Sequence, residues 1–444
     1  MRTSLLAATI AVGLATALAT PALGAALGGD PVSSSTMTTR AAAQVSAAPD
    51  APAAPAAEPP AASVIFNDPT GDRAAQNRIA DHIRRAIEAT PRHGTIRMAA
   101  YSFDRPDIAD ALAKACTQRQ VTVQVVLNDN FVSGSSRELR RLLGADALSS
   151  RAACDPGSEA GPGAAPSFVK VCHASCRLGD RGNQHMKVYL FSSSGDQPHV
   201  VMLGSANLTG YAAGVHWNDL VTLTGSQQLY DDYGRVFDEL AADRHVEAPE
   251  VRVTHGDVTT SVAAGASATP DSDAVAERLA GVTCDALPGT GEAGRTVVRI
   301  SMYGWRGQRG LDLAQGVGRL SRAGCRVQAL VSAAGPDVVE TLLRAGVRVR
   351  SASLDVDGNV ATGFEDSGWE HFVHEKWMSV DGTWDGTATR AVWTGSENWS
   401  DVSLLNDELV VMIPRPRIHD AYVAHFDTVW SGHSRELAPA PQQV

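Results

Sequence analysis

The chain has 444 residues, of which 44% are hydrophobic and 20% charged. This is the range of ordinary globular proteins, and it excludes a wholly disordered, collagen-like or multi-span membrane protein. With 38 Lys and Arg against 49 Asp and Glu, the formal net charge is -11, which disfavours indiscriminate electrostatic binding to nucleic acid. A local basic site is still compatible with this charge.

The first 62 residues are predicted to lie outside the folded domains. Residues 1–26 have the pattern of a secretory signal peptide, with Arg2 at the start, an apolar run over 5–18 that is too short to span a membrane, and small residues before the cleavage point. Residues 27–62 are rich in Ala, Pro, Ser and Thr, which predicts a disordered linker. We therefore expect a secreted, extracellular and soluble protein.

Six cysteines in an exported chain favour disulfides over free thiols or metal ligands. Many pairings are open, and only Cys284 with Cys325 is expected, because these are the only two cysteines of the second half. The segment 172–176 with His185 nearby fits a zinc site as an alternative, disfavoured because no second paired-Cys element accompanies it. The remaining cysteines are Cys116, Cys154, Cys172 and Cys176.

Two halves of the chain repeat one order of predicted elements. A strand over 95–101, a helix over about 106–115 and a strand over 121–127 recur as a strand over 297–303, a helix over about 311–323 and a strand over 326–331. This alternation predicts an α/β fold with a parallel or mixed sheet in each half. The predicted domains are 63–254 and 272–434, with a connector over 255–271 and a disordered tail over 435–444.

The lysines reveal the first chemical pattern. Only four of the 38 basic residues are lysines, and two of these follow a histidine by two positions, as His185 with Lys187 and His374 with Lys376. About twenty residues further on, each pair is followed by a Gly-Ser-x-Asn sequence, at 204–207 and at 395–398. Chance does not account for such a repeat.

The spacing of these residues has a geometric reason. The segment 184–190 is predicted as a strand, and its period of two places His185 and Lys187 on one face. The strands over 200–203 and 391–394 each end in a glycine that permits close approach, with Ser and Asn again two apart. Lys and Asn donate to anionic oxygens, and His attacks or exchanges a proton near neutral pH. Two such sets together would surround one phosphate.

These paired elements resemble the signature of the phospholipase D superfamily, His-x-Lys-x(4)-Asp followed by Gly-Ser-x-Asn, over about 64–432. The resemblance implies two α/β/α halves with mixed sheets, packed with pseudo-twofold symmetry around one shared active site. It also implies catalysis without metal or cofactor, in which one His attacks phosphorus, the other protonates the leaving alcohol, and water releases the product. Because both motifs lie in one chain, we expect a monomer.

The resemblance also implies residue roles. His185 would be the nucleophile and His374 the general acid, while preorganised donors would stabilise the phosphoryl oxygens. A carboxylate downstream of each Gly-Ser-x-Asn would orient a His, with Glu408 in the second half and Asp219 in the first, the latter by a one-residue choice of register. The donors are Lys187, Lys376, Asn207 and Asn398, with hydroxyl contacts from Ser205 and Ser396.

The first motif departs from the signature. Its aspartate is replaced by Ser192, whereas Asp381 is present in the second motif. In the family this Asp is largely a structural hydrogen-bonding residue, so we expect its loss to matter less than loss of a His or Lys. A degenerate first half remains the alternative.

Other residues near the motifs are predicted to have structural roles. His216 and His371 are expected to be packing or surface residues, and Arg181 is a better candidate for a substrate contact than the helix face at 137–141. Seven of eight tryptophans lie in the second half. They are expected mostly in the core, with a membrane interface as the alternative. They are Trp305, Trp369, Trp377, Trp384, Trp393, Trp399 and Trp430.

Three functions fit these observations. The first is a secreted phospholipase D-type hydrolase acting on phospholipid head groups at a membrane surface, with no protein partner implied. The second is a secreted nuclease of the same superfamily, which the net charge and the lack of basic runs disfavour. The third is a non-catalytic phosphate-binding relative, which the intact His, Lys and Asn of both halves disfavour.

Overall fold

The computed structural model describes residues 60–150, 166–247, 249–263, 272–356 and 370–439. The predicted signal peptide, the linker up to residue 59, Cys154 and Trp369 lie outside these ranges. Within them, no helix has the length and apolar character needed to cross a bilayer.

The first half is built on a seven-stranded sheet flanked by helices. Its strands are β1 (Ala61–Phe66), β2 (Thr95–Ala100), β3 (Thr122–Asn128), β4 (Phe168–Cys172), β5 (Val188–Ser194), β6 (Gln197–Gly204), β7 (His216–Trp217) and β8 (Asp219–Thr224). Its helices are α1 (Arg73–Ala89), α2 (Pro106–Arg119), α3 (Gly134–Leu143), α4 (Gly210–Val215) and α5 (Gln227–Ala242). The sheet order is β1-β8-β6-β5-β2-β3-β4, and β7 lies outside it.

The second half is built on a larger sheet. Its strands are β9 (Val251–His255), β10 (Val258–Ala263), β11 (Val282–Thr283), β12 (Val297–Arg306), β13 (Arg326–Ala334), β14 (Arg348–Ser351), β15 (Ser353–Leu354), β16 (His371–Val373), β17 (Lys376–Trp384), β18 (Thr387–Gly395), β19 (Trp399–Ser400), β20 (Glu408–Ile413) and β21 (Arg435–Glu436). Its helices are α6 (Ala274–Ala280), α7 (Gly307–Arg322), α8 (Pro336–Arg344), α9 (Pro416–Gly432) and a 3₁₀ helix (Asp401–Leu405). The main order is β21-β14-β13-β12-β17-β18-β20-β10-β9.

The two sheets share one arrangement of six strands. The order β8-β6-β5-β2-β3-β4 of the first half recurs as β20-β18-β17-β12-β13-β14 in the second. In each set three strands are parallel, and the others join them antiparallel. The predicted pair of α/β halves with mixed sheets is therefore confirmed.

Local sequence explains where the helices begin. Asp72, Ser133 and Ser226 cap α1, α3 and α5, each accepting a hydrogen bond from a first-turn backbone N–H. Pro106 and Pro336 open α2 and α8, where a missing N–H removes no intrahelical bond. The helix predicted over about 106–115 begins at Pro106 as expected and ends at Arg119, and the helix predicted over about 311–323 spans Gly307–Arg322.

A shared interface brings the two motifs together. Strand β7 pairs in parallel with β16 of the other half, with His216 opposite Phe372, and Gln184 forms a bridge with Asp407. One apolar cluster includes residues of both sheets, because their inner faces pack on each other. Its members include Leu203, Val221, Val392, Val411 and Tyr422.

Three segments that were predicted to lack regular structure contain strand residues. Within the predicted connector, β10 pairs with β20 and with β9, because Val258, Thr260 and Val262 alternate inward while their neighbours are partly exposed. Residues 264–271 lie outside the described ranges. In the predicted tail, β21 pairs with β14, and β1 starts at Ala61, inside the predicted linker.

The disulfides and tryptophans are also visible in the structure. Cys284 and Cys325 are bonded, which confirms that pair. The zinc alternative is wrong, because Cys172 and Cys176 form a disulfide; Cys116 is disulfide-bonded as well. The second-half tryptophans pack inside the protein as expected, with Trp305, Trp377, Trp393 and Trp399 buried and Trp384 and Trp430 partly buried.

Candidate active site

The two motif histidines line one cavity between the halves. His185 and His374 each lie in an extended segment just before β5 and β17, so the strand predicted from residue 184 begins at Val188 instead. Both side chains are buried and border a cavity of about 610 Å³. Asn207 and Asn398, one from each Gly-Ser-x-Asn loop, line the same cavity. The structure therefore brings the histidine and the asparagine of both predicted motif sets to one site, whereas Lys187 and Lys376 are buried and do not line the cavity.

His185 is held by a carboxylate from the other half. Its Nδ1 lies 2.9 and 3.0 Å from the two oxygens of Glu408, which also accepts hydrogen bonds from Asn406 and Ser396. Burial alone would raise the pKa of Glu408, but the contact and hydrogen bond with His185, the nearby Lys187 and the Ser396 hydroxyl outweigh it and keep this pKa below its usual value. The carboxylate is therefore ionised and fixes Nδ1–H as the donor.

The same carboxylate does not make His185 cationic at rest. Burial lowers the pKa of His185 below its usual value, Glu408 offsets part of this, and the two nearby lysines lower it further. With Nδ1–H donated to Glu408, the lone pair of Nε2 remains available in the cavity.

His374 has a neutral partner, and here the sequence prediction fails. Its Nδ1 lies 3.2 Å from the side-chain oxygen of Asn218, not from Asp219. Asp219 instead accepts hydrogen bonds from Thr394 and Tyr422 on the opposite face of β8. The error is the one-residue choice of register, because neighbouring strand residues point to opposite faces.

The two serines confirm that Asn218 and Glu408 are equivalent. Ser205 donates to Asn218 and accepts from the backbone N–H of Asp219. Ser396 donates to Glu408 and accepts from the backbone N–H of Leu409. Both serines are fully buried and neither lines the cavity, so their hydroxyls hold the residues that orient the histidines rather than the phosphate.

The neutral partner changes the proton affinity of His374. Its pKa is lowered well below the usual value by burial and then by Lys376, His216, Lys187 and His185. Among the residues that the structure describes, no carboxylate contacts the His374 ring to offset these effects, in contrast to His185. An imidazolium at this position would give up its proton more readily than one at position 185.

The two motif lysines have matching surroundings. Lys187 and Lys376 each donate to the backbone carbonyl of their own motif histidine. Each ammonium also lies over a tyrosine ring, Lys187 at 5.3 Å from the Tyr101 centroid and Lys376 at 4.9 Å from that of Tyr303. Burial lowers the pKa of Lys187 to about 7 and that of Lys376 well below its usual value. An anion in the cavity would stabilise both charges.

The side-chain oxygens of Asn398 and Asn207 differ in their hydrogen-bond partners. The Asn398 side-chain oxygen accepts from the backbone N–H of Gly304, where an added Cβ would lie 3.0 Å from the amide carbon. This contact leaves the NH₂ of Asn398 free to donate into the cavity. Ser102 stands at the equivalent place in the first half, and the buried oxygen of Asn207 has no partner among the described residues.

His216 is a cavity residue that sequence reasoning placed in the packing. Its ring stacks on His374 with centroids 4.6 Å apart, and it lines the cavity. Neither ring nitrogen has a hydrogen-bond partner among the described residues. Burial and then Lys376 lower its pKa to about 3, so it stays neutral. No sequence signal marked it, because its partner is a stacked ring 158 positions away.

The serine that replaces the motif aspartate also accepts a backbone hydrogen bond, but from a different donor. Asp381 accepts from the backbone N–H of Gly291, and Ser192 accepts from that of Thr95, at the equivalent point of the sheet. Neither residue lines the cavity. The substitution therefore lies outside the cavity lining.

The mouth of the cavity carries one charge from each half. Asp104 follows Tyr101 by three residues and Arg306 follows Tyr303 by three, so they are equivalent positions with opposite charge, and both line the cavity. His371 and Arg181 do not line it. Among the described residues, no group of three or more His, Cys, Asp or Glu is arranged to hold a metal ion.

Comparison with known proteins identifies the family. Residues 83–241 and 292–430, more than half of the chain, match the family described as "Cardiolipin synthase, PLD-like domain". The chain belongs to this family. Each matched segment contains one His-x-Lys and one Gly-Ser-x-Asn element, and the match confirms the resemblance to the phospholipase D superfamily.

Solved structures show the same fold at low sequence identity. Phosphatidylserine synthase from Haemophilus influenzae Rd KW20 superposes with a TM-score of 0.53 at 14% identity, over 85% of this chain and 89% of that one. Polyphosphate kinase from Porphyromonas gingivalis gives 0.52 at 13% identity, over 85% of this chain and 48% of that one. This chain thus spans about half the length of the kinase. No curated protein sequence matches the chain.

Proposed function

We propose that the protein is a secreted phospholipase D that hydrolyses the head-group phosphodiester of phospholipids. The observation that carries this proposal is the crossed pairing of His185 with Glu408 and His374 with Asn218 around one cavity. One histidine is paired with a carboxylate and the other with a neutral amide, and this difference fits a nucleophile and a general acid. Membership of a family named for a lipid synthase supports a lipid phosphodiester as the substrate.

In the first step, Nε2 of His185 attacks phosphorus and the bond to the head-group oxygen breaks. The phosphorylated imidazole carries a positive charge, which the Glu408 carboxylate stabilises through Nδ1–H. His374 gives a proton from Nε2 to the leaving oxygen, so the alcohol departs neutral. Asn207 and Asn398 donate to the phosphoryl oxygens, and Lys187 and Lys376, which are buried and do not line the cavity, stabilise the phosphoryl charge electrostatically.

In the second step, neutral His374 takes a proton from water as the water oxygen attacks phosphorus. The bond from phosphorus to Nε2 of His185 breaks, and phosphatidic acid is released. His374 is then protonated again for the next cycle. The low pKa of His374 requires that the phosphodiester anion itself, by its charge, favours protonation of the acid on binding.

The test is turnover of a phospholipid panel by the purified protein in EDTA, with His185→Ala and His374→Ala as comparisons. Released head group that disappears in both variants supports the proposal. An added primary alcohol distinguishes hydrolysis from transfer, because transfer would produce a new phosphatidyl alcohol instead of phosphatidic acid. Cleavage of single-stranded DNA without lipid turnover would favour the nuclease of the same superfamily.

A further inference from the structure

The mouth of the catalytic cavity has exposed apolar side chains. Phe131, Tyr211 and Val402 are 39%, 41% and 53% exposed, and all three line the cavity that holds the two histidines. Within the described ranges, six large apolar side chains are exposed to this degree. The other three, Leu148, Leu287 and Val356, do not line this cavity.

The three side chains come from separate segments and from both halves. Phe131 lies between β3 and α3, Tyr211 lies in the first turn of α4, and Val402 lies in the 3₁₀ helix of the second half. Bridges from Phe103 to Val132 and to Leu208 draw the first two segments together. Exposed apolar groups that converge on one opening from three segments are typical of an interaction surface.

The charges around the opening favour a lipid surface over a nucleic acid. Apart from the histidines, the cavity lining includes one cation, Arg306, and one anion, Asp104. Binding to a phosphate backbone draws on many Lys and Arg contacts, and the chain has a net charge of -11. Aromatic and aliphatic side chains without a cationic cluster fit the head-group region of a zwitterionic bilayer.

We propose that Phe131, Tyr211 and Val402 form a docking rim that inserts into the head-group region of a phosphatidylcholine-type bilayer. The rim would place the cavity mouth against the head-group phosphate, and this step rests on the proposed lipid substrate. The tryptophans of the second half do not serve this purpose, since those that the structure describes are buried or partly buried.

Vesicle binding tests the rim without turnover. The protein carrying His185→Ala is sedimented with sucrose-loaded phosphatidylcholine vesicles, with and without Phe131→Ser, Tyr211→Ser and Val402→Ser together. We expect the triple substitution to weaken binding at least about tenfold, because three exposed apolar groups lose their contact with lipid. The matched control is Leu287→Ser, which removes an equally exposed apolar side chain away from the cavity and should leave binding unchanged.

A second measurement separates docking from chemistry. With His185 intact, the triple substitution should lower turnover of vesicle lipid about tenfold more than turnover of a short-chain phosphatidylcholine kept monomeric. Vesicle binding that depends on the rim, without any lipid turnover, would keep the docking rim and reject the proposed reaction. Turnover of the monomeric lipid, together with vesicle binding that the triple substitution does not change, would keep the proposed reaction and reject the docking rim. If the triple substitution abolished binding of single-stranded DNA and left vesicle binding unchanged, the rim would not be a lipid-binding surface.

Discussion

The two halves of the active site have the same backbone arrangement but differ in the residue that orients each histidine. Strand order, the Lys over a Tyr ring and the Ser beneath the orienting residue repeat in both halves. The orienting residue itself does not, since His185 meets a carboxylate and His374 an amide. A duplicated scaffold thus supports two different proton affinities, and a symmetric framework can assign asymmetric roles through one side chain.

The difference is tested most severely by removing each histidine in turn. His185→Ala and His374→Ala should each lower turnover of a natural phospholipid by about 10⁴-fold. With a p-nitrophenyl phosphodiester, whose leaving group needs no proton, His374→Ala should recover most of the first step and His185→Ala should not. Burst release of p-nitrophenol in stopped flow measures this.

The matched control for this experiment is His371→Ala, which removes a nearby histidine that does not line the cavity. It should retain turnover of both substrates. Recovery in His185→Ala instead of His374→Ala would reverse the two roles.

A smaller loss is expected when the two halves are made alike. Glu408→Gln replaces the carboxylate on His185 with an amide of the same shape, so the phosphorylated imidazole loses its counter-charge. We expect kcat to fall about 10- to 100-fold with little change in KM. Steady-state kinetics on dispersed lipid provide both constants.

Asp219→Asn is the control, because Asp219 aligns with the motif by sequence but does not contact His374. Its effect on kcat should be clearly smaller than that of Glu408→Gln. Equal losses would contradict the register in which Asn218, not Asp219, supports His374.

Placing a carboxylate beside His374 should shift the alkaline limit of activity rather than abolish activity. In Asn218→Asp, a new carboxylate beside His374 favours the imidazolium and raises its pKa. The acid form then persists to higher pH, so the alkaline limb of the kcat profile shifts upward. A kcat profile from pH 5 to 9 measures the shift.

Asn218→Ala serves as its control, since it removes the hydrogen bond without adding charge. Its kcat should be lower with no upward shift of the alkaline limb. An upward shift in both variants would mean that charge at this position does not set the pKa of the acid.

The smallest effect is expected where the halves differ without consequence for the chemistry. Ser192→Asp restores the motif aspartate in the first half, at a site where Ser192 already accepts the Thr95 N–H. Stability should change by less than about 1 kcal/mol and kcat by less than about twofold. Urea denaturation and lipid turnover measure these, and a large gain in kcat would instead indicate a degenerate first half.

The sequence was sufficient to predict the features that depend on the spacing of residues along the chain. The repeated His-x-Lys and Gly-Ser-x-Asn elements predicted two halves and one shared site, and the cysteine count of the second half predicted the Cys284–Cys325 bond. The connector was mispredicted where the alternation of Val258, Thr260 and Val262 was hidden by a composition rich in small residues.

Only the tertiary structure decided which way individual side chains point and which apolar side chains are exposed. Asn218 and Asp219 are adjacent in sequence, where the chain enters β8, and their side chains turn in opposite directions, Asn218 toward His374 and Asp219 toward Tyr422. The stacking of His216 on His374 and the apolar mouth at Phe131, Tyr211 and Val402 join segments far apart along the chain. Spacing along a strand fixes which residues share a face, but contacts between halves exist only once both sheets are packed.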